Sequence, residues 1–194
     1  MKRLVVLVGL PGSGKTAFQE RHPEWAVVSR DAIRRGIFHC NYAPKYENTI
    51  ERIYAAALVE VIDSDAEVVC VDDLNLTRRT RGELIELAQL AKREPIAYVM
   101  PFEPIDELFA RTLQGSGTTS SSDPNFRATA FSRDRFDELV RSYERVDERE
   151  GFARVEKRTR LPSVDAPPIS LTKQRGGNRR KRIEKREPMP LFVP

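Results

Sequence analysis

A glycine-rich stretch near the amino terminus has the residue types and the spacing that are needed to hold phosphate groups. Residues 9–16 read GLPGSGKT and follow the apolar run 4–8, so a buried strand is expected to lead into a tight turn and a helix. Glycine lets backbone amides approach an anion closely, and the start of the following helix adds partial positive charge. The predicted phosphate-binding residues are Gly9, Pro11, Gly12, Ser13, Gly14, Lys15 and Thr16.

Two of these residues are expected to do more than shape the turn. Lys15 is expected to reach the β- and γ-phosphates of a nucleoside triphosphate and so to act in catalysis, and the Thr16 hydroxyl is expected to help hold Mg²⁺. The alternative is a glycine-rich turn that binds nothing, but every position of the motif is filled and a strand-like run precedes it. The motif therefore predicts ATP and Mg²⁺ as cofactors.

Charged residues follow the second predicted strand. Asp31 could accept the proton of an acceptor hydroxyl, which would make it a general base. Arg34 lies one helical turn later and could bind a phosphate of the acceptor through two parallel hydrogen bonds. The alternative for Asp31 is a helix N-cap, and the alternative for Arg34 is a solvated helix position.

The third predicted strand ends in two carboxylates. Asp72 is predicted to hold Mg²⁺ together with Thr16, directly or through water, but a carboxylate here, Asp72 or Asp73, could equally bind the acceptor or support Lys15. Either carboxylate could instead cap the next turn. Arg78 opens a cluster with Arg79 and Arg81, which would either face phosphate groups or form the solvated start of a helix.

These side chains need a scaffold that brings the strand ends together. Strand-like and helix-like segments alternate over residues 1–161, which predicts an α/β fold of the P-loop NTPase type, a parallel sheet flanked by helices. Ligands of such sheets bind beyond the carboxyl ends of the strands. The predicted strands are 4–8, 25–29, 68–71, 96–100 and 152–155, and the predicted helices are 14–21, a segment that starts near Asp31, 46–62, 77–92, 105–113 and 133–148.

Two regions depart from this alternation. Residues 114–124 are rich in Gly, Ser and Thr and are predicted to form a flexible lid region. The catalytic domain is predicted to span residues 1–161, followed by a flexible basic tail at 162–194 with eight Lys or Arg against three Asp or Glu. Such a tail favours nucleic acid as a partner, and a solvated tail without a specific partner is the alternative.

The composition argues against other classes of protein. No apolar run is long enough to cross a membrane, and no cleavable secretory signal is visible. Cys40 and Cys70 are far apart and have no neighbouring metal ligands, so both are expected to be reduced thiols. The expected location is the cytoplasm, or the cytoplasm of a host cell if a phage encodes the chain. The sequence leaves the oligomeric state open.

Three segments together resemble a known family. The segments GLPGSGKT, SRDAIR and VDDLNLTRR, at residues 9–16, 29–34 and 71–79, resemble in order and spacing the phage-type polynucleotide 5′-hydroxyl kinases. The resemblance implies a P-loop α/β kinase in which Asp31 is the general base. It also implies that Arg34 contacts a phosphate of the acceptor nucleotide and that Asp73 belongs to the acceptor site.

One part of the family pattern is not found at its usual place. The family places a lid arginine soon after the helix that follows the fourth strand, but here that region turns into Gly and Ser. Arg111, within the predicted helix, and Arg127, beyond the Ser run, are the candidates for the catalytic arginine, with Arg133 and Arg135 further along. The signature of the fused phosphatase halves is absent from the sequence, so a kinase alone is expected.

The sequence therefore predicts an ATP-dependent phosphotransferase that moves the γ-phosphate to a hydroxyl of nucleic acid, with the 5′-OH end as the first acceptor. A kinase of a hydroxymethylated DNA base, or of a nucleoside or other small metabolite, is the alternative. A nucleotide-binding scaffold without catalysis would keep Lys15 and Thr16 but would not need Asp31.

Overall fold

The computed structural model describes residues 1–118 and 131–159 of the chain. Arg127 and the predicted tail at 162–194 lie outside the described residues. No helix in the described ranges is long and apolar enough to cross a membrane.

A five-stranded sheet forms the centre of the molecule, and all of its strand pairs are parallel. The strand order is β2-β3-β1-β4-β5, so β1 lies in the middle, and its residues from Leu4 to Val8 are buried. Strands buried on both faces read as continuous apolar runs, which is why residues 4–8 and 68–71 were recognisable in the sequence. The strands are β1 Arg3–Val8, β2 Ala26–Val28, β3 Val68–Val71, β4 Glu94–Val99 and β5 Arg154–Lys157.

Helices connect the strands and cover the sheet, as the predicted α/β fold requires. They are α1 Lys15–Gln19, α2 Arg30–Phe38, α3 Pro44–Asp63, α4 Arg78–Leu90, α5 Ile105–Thr118 and α6 Arg133–Ser142, with a 3₁₀ turn at Glu148–Glu150. The predicted fold class is confirmed: the chain is a parallel sheet flanked by helices.

The core has three parts. One face of the sheet packs against α3 and α4 through residues such as Leu58 and Leu84. The other face packs against Phe18 of α1. A third cluster joins Leu10, just after β1, to Leu108 of α5, and so brings α5 next to the glycine-rich turn. The predicted site therefore has a helix packed directly beside it.

Two predicted helix ends differ from the structure. Helix α5 runs to Thr118 rather than ending at residue 113, because a residue added to an existing helix gains a hydrogen bond without a new nucleation step. Helix α6 ends at Ser142 rather than at residue 148. Beyond it the chain is extended, so that Tyr143 stacks on Phe102 at 4.4 Å between ring centroids and Val146 is buried. Tertiary packing overrides helix propensity there.

Candidate active site

The glycine-rich turn between β1 and α1 has the backbone that its sequence predicts. Gly12 and Gly14 have φ angles of 76° and 87°, which side-chain-bearing residues rarely adopt. A Cβ on Gly12 would lie 2.2 Å from the carbonyl oxygen of Leu108 and 2.9 Å from the Oγ1 of Thr112, so the turn is packed against α5 without room for a methyl group. Glycine at position 12 is required both by its backbone angle and by its neighbour.

Lys15 begins α1 and is buried. Its Nζ donates hydrogen bonds to the carbonyl oxygens of Gly9 at 2.8 Å and Leu10 at 2.9 Å. Burial lowers the pKa of Lys15, while the negative charges of Asp72, Asp73 and Asp31 act in the opposite direction. The ammonium group thus lies within the electrostatic reach of all three carboxylates, and the same Nζ is bonded to the turn that would hold phosphate.

The two predicted magnesium ligands are in direct contact. The Oγ1 of Thr16 donates a hydrogen bond to the Oδ2 of Asp72 at 3.0 Å. Burial raises the pKa of the Asp72 carboxyl, and the charge of Lys15 and the hydrogen bond from Thr16 lower it in part. A hydroxyl and a carboxylate are oxygen ligands of the kind that Mg²⁺ prefers, so this donor pair fits the ion.

The described residues hold no group of three or more His, Cys, Asp or Glu side chains that could bind a metal by themselves. Mg²⁺ usually keeps several waters and binds through one or two carboxylates together with substrate phosphates. A site built on Thr16 and Asp72 alone is therefore of the kind that is completed by a bound nucleotide.

Asp31 lies in the first turn of α2 but does not cap it. The N-cap is Ser29, whose Oγ accepts a hydrogen bond from the backbone N–H of Ala32 at 3.3 Å. The capping alternative for Asp31 is therefore wrong. The Asp31 side chain is 62% exposed, and its Oδ1 accepts a hydrogen bond from Arg34 Nη1 at 2.6 Å. Its Oδ2 bonds to no residue within 1–118 or 131–159.

Arg34 is held by two carboxylates at once. Besides Asp31, it bonds to Glu47 of α3, with Nε at 3.0 Å from Oε1 and Nη2 at 2.6 Å from Oε2. The side chain is 15% exposed, so the solvated alternative is wrong. Burial alone would lower the pKa of Arg34, but the hydrogen bonds of Glu47 and the charge of Asp31 raise it overall. All three guanidinium nitrogens are engaged.

Arg30 is a site residue that the sequence interpretation did not assign. Its Nε and Nη2 donate to Glu51 of α3 at 2.7 and 2.8 Å, its Nη1 donates to Oδ2 of Asp73, and its guanidinium lies 3.6 Å from the ring centroid of Tyr54. It therefore ties α2 to α3 and to the end of β3. The signal that could have revealed it is the spacing of Glu47, Glu51 and Tyr54, which places all three on one face of α3.

Asp73 is fixed on both of its carboxylate oxygens. Oδ2 bonds to Arg30, and Oδ1 accepts a hydrogen bond from the backbone N–H of Leu74 at 2.8 Å. The carboxylate thus supports the loop after β3, as a turn-capping residue would, while lying in the same charged group as Asp31 and Lys15.

The predicted arginine cluster does not act as one unit. Arg81 is fully buried, bonds to Glu150 through Nε at 2.6 Å and Nη2 at 2.8 Å, and donates to the carbonyl oxygens of Asn75 and Leu76. It is a structural residue that joins the start of α4 to the 3₁₀ turn. Arg79 is exposed and pairs with Glu83. Arg78 is 60% exposed, and its Nε lies 3.9 Å from Oε1 of Glu150, so Arg78 and Arg79 are both accessible to solvent while Arg81 is not.

Arg111 lies on α5, beside the glycine-rich turn. Its Nε donates to Oε1 of Glu107 at 3.0 Å, one helical turn earlier. The next residue, Thr112, is one of the two that exclude a side chain at Gly12. The structure thus places one predicted catalytic arginine on the helix that touches the turn.

Solved structures similar to this one are distant in sequence. A chain of the Pnkp1/Rnl/Hen1 RNA repair complex has 20% identity and a TM-score of 0.56, over 73% of this chain and 43% of that chain. Kti12 of Chaetomium thermophilum, in complex with ADP-AlF3, has 18% identity and a TM-score of 0.53, over 79% of this chain and 87% of that chain. A protein of the PezAT toxin-antitoxin system of Streptococcus pneumoniae has 14% identity and a TM-score of 0.58, over 81% and 68%.

These likenesses show a shared fold. This chain spans less than half the length of the RNA repair chain that it matches. A comparison with curated proteins finds no match. The resemblance to phage-type polynucleotide kinases is confirmed at the level of the P-loop kinase-like fold, and the acceptor belongs to the proposal below.

Family membership comes from the sequence. Residues 4–146 match the family model described as an AAA domain, and this range contains the glycine-rich turn, the strand-end carboxylates and helices α1 to α6. The match covers well over half of the chain. The chain belongs to the AAA domain family and has an α/β P-loop kinase-like fold.

Proposed function

We propose that this protein is an ATP-dependent kinase that transfers the γ-phosphate to a hydroxyl of nucleic acid. The observation that carries the proposal is that Lys15, the Thr16–Asp72 pair and the exposed carboxylate of Asp31 converge at the carboxyl edge of the sheet. A phosphate cradle, a metal-binding pair and an accessible base are the parts that phosphoryl transfer requires. A nucleotide-binding scaffold would not need the third.

Each part has a defined task. Lys15 binds the phosphate oxygens on which negative charge accumulates. Thr16 and Asp72 would hold Mg²⁺, which would supply further positive charge there. Asp31 takes the proton of the acceptor hydroxyl. The hydroxyl oxygen forms a bond to the γ-phosphorus, and the bond between that phosphorus and ADP breaks. Arg111 and Arg127 are the proposed sources of positive charge for the transferring group.

The acceptor side is proposed to be bordered by Arg34, Asp73 and Arg78. Nucleic acid is the proposed acceptor because of the resemblance in the three motifs, and one similar structure belongs to an RNA repair complex. The 5′-OH end is the first acceptor to test. A hydroxymethylated base is the second, and a nucleoside or other small metabolite the third.

The basic tail is proposed to raise the local concentration of nucleic acid. Removing the segment after Leu161 should weaken nucleic-acid binding and flatten its dependence on salt, because fewer counterions would be released. Equal affinities of the full and shortened chains over a salt series would remove the tail from the proposal.

The deciding experiment follows labelled γ-phosphate from ATP to matched acceptors. A 5′-OH oligonucleotide is compared with the same oligonucleotide carrying a 5′-phosphate, with one carrying a hydroxymethylated base and a blocked 5′ end, and with a free nucleoside. Label on a nucleic acid supports the proposal, and the labelled member identifies the hydroxyl. Label on the nucleoside alone establishes a small-molecule kinase, and label on none, with ATP bound, contradicts the kinase assignment.

A further inference from the structure

Among the described residues, the charged group that spans the donor and acceptor sides of the site has more carboxylates than cations. Five carboxylates and three cations form one connected group of ion pairs and electrostatic contacts. Its members are Lys15, Arg30, Arg34, Asp31, Glu47, Glu51, Asp72 and Asp73. A divalent cation would balance the excess when bound, but a phosphate of the acceptor would add to it.

Both arginines, Arg30 and Arg34, already pair with carboxylates through the nitrogens that a phosphate would otherwise bind. Glu47 takes Nε and Nη2 of Arg34, and Glu51 takes the same two nitrogens of Arg30. This two-point pairing is the mode by which arginine binds phosphate as well as carboxylate. The remaining Nη1 atoms bond to Asp31 and Asp73.

Helix α3 supplies both carboxylates that would compete with a phosphate for these arginines. Glu47 and Glu51 are four residues apart and so lie on one face of α3, which packs against α2. Tyr54, one turn further along α3, contacts the guanidinium of Arg30 with the face of its ring. Both arginines are therefore fixed by a helix outside the three motifs.

A phosphate that approached Arg34 would meet two unfavourable changes. It would have to displace Glu47, leaving that carboxylate partly buried without its partner, and it would lie beside the negative charge of Asp31. Like charges at short range repel strongly where water is partly excluded. Arg34 is thus better placed to orient Asp31 than to read a phosphate.

We propose that the acceptor hydroxyl is carried by an uncharged group, such as a hydroxymethyl substituent of a nucleobase or the hydroxyl of a nucleoside, with no phosphate within reach of Arg34. The proposal rests on the proposed kinase function, since it concerns the acceptor of that reaction, and it places these two acceptors ahead of the 5′-OH end, whose nucleotide carries a 3′-phosphate. In the step, the hydroxyl proton passes to Asp31, the oxygen–phosphorus bond forms and ADP leaves. Arg34 is a positioning residue for Asp31.

Binding of two acceptors that differ in one phosphate tests the proposal. Calorimetry with Mg·ADP present compares thymidine with thymidine 3′-monophosphate on the wild type, on Glu47→Gln and on Glu60→Gln, an exposed glutamate of the same helix. Wild type and Glu60→Gln should prefer the phosphate by less than about tenfold, whereas Glu47→Gln should bind the 3′-monophosphate at least about tenfold more tightly than the wild type does.

Either of two results would overturn the proposal: a wild-type preference for the 3′-phosphate of tenfold or more, or no gain of phosphate binding in Glu47→Gln. If neither compound binds the wild type, the Glu47→Gln arm decides. These binding results do not depend on turnover, so failure to phosphorylate any acceptor would remove the kinase function separately.

Kinetics separate the two roles of Arg34 and the two sources of hydroxyl. With transfer measured on free nucleoside and on DNA carrying a hydroxymethylated base, Arg34→Gln should lower kcat and leave the KM of the acceptor unchanged, because Asp31 loses its orientation. An unchanged kcat with a raised acceptor KM would instead make Arg34 a ligand of the acceptor. Whichever acceptor has the higher kcat/KM identifies the source.

Discussion

The donor half and the acceptor half of this site are built in different ways. The donor half consists of residues 9–16 with Asp72, and its polar side chains Lys15 and Asp72 are buried. The proposed acceptor half consists of Arg30, Asp31 and Arg34 with Asp73 and the α3 glutamates, and its proposed base, Asp31, is largely exposed. Apart from Asp72, which follows β3, the donor half is one continuous stretch of chain that follows the central strand β1, whereas the acceptor half joins two helices to a strand end.

This contrast indicates which half of the site can change its specificity for the acceptor. Substitutions in the donor half are expected to destabilise the surrounding fold, because this half is buried and α5 packs against its turn. The acceptor half depends on pairings between helices, so a single change on α3 can alter its charge while leaving the donor half intact. The comparison predicts large kinetic effects for both halves but separable effects on nucleotide and acceptor.

Replacing the donor lysine should have the largest effect. Lys15→Ala removes the buried cation that is proposed to bind the transferring phosphoryl group, and kcat should fall by roughly 10³-fold. Initial rates at saturating ATP measure it, with the thermal midpoint as a check on folding. A kcat within tenfold of the wild type would contradict the proposed role of the donor half in phosphoryl transfer.

Replacing the proposed base should come next. Asp31→Asn should lower kcat by roughly 10²-fold while the affinity for ATP stays near that of the wild type. Asp134→Asn is the matched control, since Asp134 also lies exposed in the first turn of a helix. Strong residual transfer, or equal losses in both variants, would remove Asp31 from the role of base.

A glycine pair tests the packing of the donor half. Gly12→Ala places a methyl group against the Leu108 carbonyl at a positive φ, and should destabilise the fold by roughly 2 kcal/mol. Gly82→Ala, in the middle of α4 with open space around it, should stabilise the fold by up to ~1 kcal/mol. Urea unfolding of both variants measures the change in the free energy of unfolding. A change of the same sign in both variants would contradict the tight contact between Gly12 and α5.

Asp72, the buried carboxylate of the proposed metal site, should favour activity at the expense of stability. Burial raises the pKa of Asp72 in the folded protein, so its ionised form is disfavoured there relative to the unfolded chain. The ionised carboxylate therefore lowers the free energy of unfolding above that pKa, and the protonated carboxyl does not. Asp72→Asn should therefore stabilise the free protein by ~1 kcal/mol at pH 7 while weakening Mg²⁺ binding. The gain should vanish as the pH falls below the ordinary range of aspartate; unfolding at pH 7 and pH 3 checks it, and a loss of stability at pH 7 would contradict it.

The sequence indicated the sheet and the donor half well, because each depends on neighbouring residues. An apolar run followed by GLPGSGKT predicted β1 and its turn, and the structure has both. Asp31 as an N-cap was wrong because Ser29, two residues earlier, accepts the capping hydrogen bond. The buried role of Arg81 and the pairing of Glu47 with Arg34 depend on contacts 69 and 13 residues apart in the chain. Charge patterns along a sequence do not reveal such pairs.

The two outer strands of the sheet have a consequence for behaviour in concentrated solution. Strand β2 is three residues long, and β5 carries Arg154, Glu156 and Lys157 around a single valine. Exposed strand edges are templates on which another chain can add a strand, and short or charged edges oppose this. Both ends of this sheet are of that kind. Aggregation of the folded protein by strand addition is therefore disfavoured, and a high protein concentration should not by itself start fibril formation.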